Sequence, residues 1–155
     1  MIELKTEVAV NGVSGRSVSH FMLNCTDADY QKWWPGTHLA FHTRKHSPDD
    51  VGNHVYFDEY IGKRRFKLRG VVAEVVPGRR IVWQMIKVMR LPAWLILEMN
   101  DTAEGVRITH TLRAGFSGRG RLFDPLLRLI LSRNFERDMQ EHAQIEFKRL
   151  AELLS

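Results

Sequence analysis

The sequence predicts an α+β domain: an antiparallel sheet of about six or seven strands curved around one long C-terminal helix, with two short helices after the first strand. Three observations predict it. Residues 132–154 repeat apolar side chains every three or four positions, the spacing of a single buried helical stripe. Residues 55–116 instead alternate at period two, in segments divided by turn pairs such as Pro77-Gly78 and Asn100-Asp101. The connections between those segments are too short for a crossover helix, so successive strands pair as an antiparallel meander.

In chain order, residues 3–10 alternate and end at Asn11-Gly12, the first strand. A short helical pattern follows over 14–23, with Ser17 as its cap and Val18, Phe21 and Met22 on the apolar side. A second short helix opens at Asp27, a favourable N-cap, and runs through Tyr30 to Trp34 before Pro35-Gly36 stops it. The chain extends over 38–46 and breaks at Ser47-Pro48-Asp49-Asp50. Strands are expected over 55–61, 66–76, 81–89, 94–99 and 106–116. Gly115, Gly118 and Gly120 then loosen the chain before 122–131, a segment more apolar than one buried face requires. Asp124-Pro125 suits a first helical turn, so a short helix or kinked leader is expected there. It would serve as a lid over a ligand cavity, as ordinary packing, or as a patch that touches a membrane.

With 155 residues the sequence is expected to form one domain over 1–155. Its 44% hydrophobic and 26% charged content are those of a soluble globular protein. No basic segment followed by an apolar one marks a secretory signal, and no apolar run approaches the ~20 residues that span a bilayer. The single Cys25 excludes an intrachain disulfide and a thiolate cluster, and a reducing cytoplasm is the expected location. A net charge of +5 raises nucleic acid or an anionic membrane as partners. However, the densest basic run, Lys63, Arg64, Arg65, Lys67 and Arg69, alternates in part with Phe66 and Leu68, as on the solvent side of a strand. No nucleic-acid partner, no stable membrane insertion and no nucleotide cofactor are expected. The residues set no oligomeric state.

The final helix carries two residues on its costly side. Phe135, Met139, Ala143, Phe147, Leu150 and Leu154 form the stripe, and His142 and Glu146 fall inside the same arc one turn apart. A carboxylate on an apolar face needs a partner, although a histidine there is commonly a hydrogen-bonded core residue and a glutamate can snorkel to water. Strand parity aims further polar groups at the same place. Glu59 shares a face with Val55, Phe57 and Ile61, while Tyr56, Asp58 and Tyr60 take the other. His110 shares one with Val106, Ile108, Leu112, Ala114 and Phe116, while Arg107, Thr109, Thr111 and Arg113 point away. Of His38, His42 and His46, the last two are expected at the surface. His38 directly follows the Pro35-Gly36 break and is the candidate to join the interior. His38, Glu59, His142 and Glu146 together make a two-histidine, two-carboxylate set suited to zinc, with manganese, iron and nickel left open. Trp33, Trp34, Trp83 and Phe116 are candidates to wall a cavity around an aromatic ring.

The layout resembles the START-like, helix-grip superfamily of polyketide cyclases and plant Bet v 1-type proteins. The resemblance rests on Asp27-Ala28-Asp29-Tyr30-Gln31-Lys32-Trp33-Trp34-Pro35 and on Asn134-Phe135-Glu136-Arg137-Asp138-Met139. It implies a deep cavity between sheet and helix for a hydrophobic or aromatic small molecule, without implying one chemistry. The four polar positions, in this order, are similar to the zinc site of the diacetylphloroglucinol and phloretin hydrolases. That resemblance implies zinc on His38, Glu59, His142 and Glu146, a substrate contact at His110 and a phenol contact at Tyr30. This chain is shorter than those enzymes, the segment between His38 and Glu59 is compressed, and a further substrate tyrosine has no counterpart. Three functions fit these residues. One is a zinc-dependent hydrolase of a small aromatic acyl compound, with Glu59 or His110 moving the proton. Another is a metal-free carrier or sensor of hydrophobic molecules; the residues expected against the small molecule are Tyr30, Trp34, Trp83, His110 and Phe116. A third is a metal-free cyclase or dehydratase using His110 and Glu59 as acid and base.

Overall fold

The computed structural model describes residues 1–155. Strict alternation makes the first strand, β1 (Ile2–Asn11), whose inward side is Ile2, Leu4, Thr6, Val8 and Val10. Helix α1 (Gly15–Asn24) begins at Ser14, whose hydroxyl accepts from the Ser17 amide while the Ser17 hydroxyl accepts from the Ser14 amide. The cap expected at Ser17 is thus the reciprocal partner of the actual one. Gly15 is required here, because a Cβ would strike the Gly78 carbonyl across the fold. Helix α2 (Asp27–Trp33) starts one residue earlier than its acidic signal suggests. Thr26 caps the Asp29 amide, and Asp27 takes the first turn, where a carboxylate complements the helix dipole.

Six strands follow: β2 (His38–Lys45), β3 (His54–Ile61), β4 (Arg64–Val76), β5 (Arg80–Ile86), β6 (Arg90–Asp101) and β7 (Gly105–Ala114). With β1 they form one seven-stranded sheet in the order β1-β7-β6-β5-β4-β3-β2, antiparallel throughout. Two boundaries differ from the sequence reading. Strand β5 stops at Ile86, and Lys87 closes a hairpin turn by donating to the Met89 carbonyl. Strand β6 begins at Arg90, four residues before the expected start. Pro92 is tolerated there because it lies beside a register irregularity between Gln84 and Ile86, where its missing N–H costs no ladder bond. The Pro92 carbonyl accepts from Gly115 at the end of β7.

A 3-10 turn over Gly118–Phe123 leads into α3 (Asp124–Ile130), the short helix that Asp124-Pro125 announces. Then α4 (Arg133–Leu154), capped by Ser132 on the Phe135 amide, runs 22 residues across the concave face of the sheet. Its buried side is Phe135, Met139, His142, Ala143, Glu146, Phe147, Leu150 and Ala151. Burial of this stripe against the sheet stabilises the fold by ~25 cal/mol per Å² of apolar area removed from water. The core is split in two. A large cluster around Trp33, Phe57, Trp83 and Phe147 is separate from a small one of Ile2, Leu4, Ile61, Phe135 and Met139. A cavity lined by members of both lies between them. No helix is long and apolar enough to cross a membrane.

Candidate metal centre at the inner end of an apolar cavity

The cavity between α4 and the sheet holds about 280 Å³, and 20 of its 25 lining residues are hydrophobic. The five others are Glu59, Arg64, His110, His142 and Glu146. Arg64 is exposed at the rim, so the interior polarity belongs to two histidines and two carboxylates. Alternation along the strands aims them inward. Glu59 stands on β3 beside Phe57 and Ile61, and His110 stands on β7 beside Leu112. The 3.6-residue period of α4 puts His142 and Glu146 on its sheet-facing side.

His38 arrives from behind the cavity wall. It is 0% exposed, and its Nε2 lies 3.3 Å from Glu146 Oε1 and 3.7 Å from Glu59 Oε2. Neither of its ring nitrogens has a hydrogen-bond partner. His142 Nε2 bonds to Glu59 Oε2 at 3.1 Å and lies 3.8 Å from Glu146 Oε2. One donor atom from each of His38, Glu59, His142 and Glu146 falls within 4.8 Å of all the others. A tetrahedral zinc with bonds of roughly 2.0–2.1 Å needs donors about 3.3 Å apart. The closest separations, 3.1 and 3.3 Å, already match, and the widest, up to 4.8 Å, close by about 1.5 Å around a bound ion. The donor set, and above all a buried imidazole with no hydrogen bond at either nitrogen, fits a divalent cation.

Aromatic packing, rather than a hydrogen bond, orients His38, and it backs His142 alongside the bond to Glu59. The Tyr30 ring stacks on His38 with centroids 3.8 Å apart and planes 7° apart, and Trp33 meets the same ring edge-on at 4.6 Å. Trp34 lies 4.8 Å from His142 and is covered outside by the Arg149 guanidinium at 5.5 Å. The Trp33 indole N–H donates to the main-chain carbonyl of Glu146 at 2.6 Å, which fixes α2 to α4 beside the cluster. Sequence reasoning placed Trp33 only as a candidate wall residue. Its position one helical turn after Tyr30 gave no signal of that bond.

The electrostatics respond to two buried carboxylates. Burial pushes the His142 pKa down, but Glu146 and Glu59 outweigh it and hold the imidazole above its ordinary value. Burial pushes Glu146 up, but His142 and His38 outweigh that and hold it below the usual carboxylate range. For His110 burial prevails over the same carboxylates and keeps the ring neutral. Burial, then the charges of Glu59 and Glu146, raise the Tyr30 hydroxyl well above its usual range, so it remains a donor.

Tyr30, Trp83 and His110 line the cavity. Trp34 and Phe116 lie off its wall. Trp34 is the C-cap of α2, past the last helical residue, and its ring lies against His142 rather than on the cavity wall. Phe116 lies beyond the last residue of β7, where strand parity no longer governs it, and its ring meets Phe123 at 5.9 Å. Much of the wall comes from β6 and β7, through Leu91, Ala93, Leu95, Leu97, Leu112 and Ala114. The period-two run from Leu91 to Leu97 was the signal available for it. Thr109 and Thr111 face away from the cavity, yet both are buried within the sheet's outer surface. His42 pairs with Asp27 at 2.7 Å, and His46 is exposed, so neither joins the cluster.

No protein-family model and no curated protein matches this sequence. Solved structures do match. A START superfamily protein from Mycobacterium smegmatis superposes with a TM-score of 0.65 at 12% identity, over 99% of this chain and 98% of its own. Ginseng major latex-like protein 151 from Panax ginseng gives 0.60 at 10% identity, over 91% and 96%. The Aha1 protein from Colwellia psychrerythraea, solved as a dimer, gives 0.52 at 13% identity, over 94% and 98%. Likeness at such identities concerns the backbone alone, and it establishes that the chain has the helix-grip fold of START and Bet v 1-like proteins.

Proposed function

We propose that this protein binds a small apolar, ring-bearing molecule in its internal cavity and acts on it as a metal-dependent hydrolase, with zinc held by His38, Glu59, His142 and Glu146. The observation that carries the reading is His38: fully buried, unbonded at both nitrogens, and within 3.7 Å of two carboxylates. At about 280 Å³ the cavity falls just under the roughly 300 Å³ at which drug-sized pockets begin. That suits a substituted single ring or a compact bicycle better than a long lipid chain. Trp83, Phe57 and Phe147 supply flat surfaces, and the aliphatic wall of β6 excludes water.

A bound divalent cation supplies Lewis-acid polarisation of a carbonyl or a water of lowered pKa. The protein's own groups do the rest. The Tyr30 hydroxyl, kept protonated, donates to a phenolic or carbonyl oxygen. His110, kept neutral, takes or returns a proton at the cavity side of the reacting carbon, a role open to it because it is outside the ligand set. Glu59, as a ligand, is then not free as a base.

The fold comparisons favour a second reading, a carrier of hydrophobic molecules without metal, since the neighbours are START and latex-like proteins. Elemental analysis of the purified protein separates the two. Near-stoichiometric zinc, lost in a His142→Ala, Glu146→Ala double variant and accompanied by hydrolysis of acylated phenols, is expected. Thermal stabilisation by apolar ligands with no metal in the wild type would make it a carrier.

A further inference from the structure

The cavity mouth is ringed by apolar side chains turned outward, away from any core. In the 3-10 turn and α3, Leu122 is 83% exposed and Leu129 78%, with Phe123, Leu126 and Ile130 also open to solvent. At the tip of the β5–β6 hairpin, Val88 is 96% exposed and Met89 also open. The two segments lie at one end of the molecule. Gly115, just before the 3-10 turn, donates to Pro92 at the base of the hairpin. Leu91 from the hairpin and Leu127, Ile130 and Leu131 from the helical side line the same cavity. Helix α3 is therefore apolar on both sides, one toward the cavity and one toward solvent, a pattern that burial in this chain alone does not explain.

The charges around this face have one sign. Arg119, Arg121, Arg128 and Arg133 flank the helical side, and Lys87 and Arg90 flank the hairpin; all are exposed and none is in an ion pair. The only carboxylate of the helical segment, Asp124, is turned to the Phe116 amide and the terminal amine. We propose that this face docks on the surface of an anionic lipid bilayer, with the leucines and the hairpin tip in the headgroup–acyl boundary and the arginines and lysines among the phosphates. A second copy of the chain suits the face less well, because a symmetric pairing would bring two sets of unpaired cations together. Docking places the cavity mouth against the bilayer, so an apolar ligand enters and leaves without crossing water. The docking itself does not depend on the metal reading.

The test is cosedimentation of the full chain with vesicles of phosphatidylcholine alone and with about one-third phosphatidylglycerol. Binding to the anionic vesicles, weakened by salt, is expected. A Leu126→Glu, Leu129→Glu variant should lose more than about tenfold in partitioning. A Val88→Glu, Met89→Glu variant should lose a similar amount, and neither change touches the cavity wall. A Lys45→Glu, Arg79→Glu variant, altered at the end of β2 and in the β4–β5 turn, the opposite end of the sheet from this face, should bind nearly as wild type. Equal binding by wild type and both mouth variants overturns the proposal. So does failure to bind any vesicle, whether the face then proves to mediate self-association, abolished by Leu126→Glu, Leu129→Glu, or capture of an acidic protein.

Discussion

Zinc should stabilise the protein through the four-residue cluster, by an amount that can be worked out in advance. The His142–Glu59 and His38–Glu146 separations of 3.1 and 3.3 Å are already those of a tetrahedral site, and the 3.7 and 3.8 Å pairs are within half an ångström. The remaining donors, up to 4.8 Å apart, draw together on loading. With free zinc at about 100 times its dissociation constant, linkage contributes ~2.7 kcal/mol. For a domain of this size that raises the melting temperature by about 5–10 °C. Glu146→Gln keeps the side chain's shape but removes one charge and one good ligand. A loss of about 100-fold in affinity, modest for a direct ligand, leaves ~0.4 kcal/mol at the same zinc concentration, a shift of about 1 °C. Each protein is compared with itself, with and without metal, so the effect of the substitution on the metal-free fold cancels. His110→Gln should keep the full response. Differential scanning fluorimetry in a non-chelating buffer measures all three. An equal zinc shift in wild type and Glu146→Gln would refute the assignment, as would a shift lost in His110→Gln alone.

The same cluster sets a pH dependence. His142 in the metal-free protein titrates above its ordinary value, so its contribution to stability is complete below the unfolded pKa of about 6.5 and is lost as pH rises through the folded one. Zinc requires the neutral ring and gains as that proton leaves; melting curves should therefore show a larger zinc shift at pH 8 than at pH 6. Trp33→Phe removes the indole bond to the Glu146 carbonyl and should cost about 1–2 kcal/mol in urea denaturation while the zinc response persists. On the outer side of the sheet, Arg65 grips Asp58 with two hydrogen bonds of 2.9 and 2.8 Å and holds its pKa down. That contribution is present above the unfolded pKa of about 3.9 and disappears as pH falls through the folded one. Because Arg65 is 45% exposed, Asp58→Asn should cost no more than about 1 kcal/mol at pH 7 and close to nothing at pH 2, measured by urea midpoints.

The architecture was legible because both periodicities are long and uninterrupted. The α4 stripe and the alternation of β3 and β7 each place a polar residue among apolar ones, so Glu59, His110, His142 and Glu146 could be aimed inward from spacing alone. The places where spacing failed are places where it stops applying. Trp34 is a helix C-cap and Phe116 is past a strand end, so neither inherits the direction of its neighbours. His38 follows the Pro35-Gly36 break, and only the three-dimensional fold shows its ring held by Tyr30 and turned to both carboxylates. Thr26 and Asp27 are both good caps in adjacent positions, and the hydroxyl took the amide. The apolar run of 122–131 spoke of burial. A seven-residue helix with one side on a cavity leaves the other side in water, and composition alone does not divide the two.

Charge bookkeeping in the cavity shows why the cluster asks for more than a proton. Glu59 and Glu146 bring two negative charges into a space otherwise walled by hydrocarbon. A protonated His142 answers one of them. His110 is driven neutral by burial although it faces the same carboxylates, and Tyr30 is raised first by burial and then by the charges of Glu59 and Glu146. An isolated buried charge is among the most costly features a fold can carry. Sequence offers simpler ways to fill such a space: leucine at Glu146 or phenylalanine at His38 would pack it without that penalty. A divalent cation bound to two neutral imidazoles and two carboxylates brings the sum to zero and gives His38 Nε2 a direct bond where it now only approaches Glu146 at 3.3 Å. If a Glu146→Leu variant of the metal-free protein proves more stable than wild type while failing to respond to zinc, the carboxylate is held at a cost to the fold for the sake of the ion. A less stable variant that still binds zinc would mean that Glu146 serves the fold and not the metal.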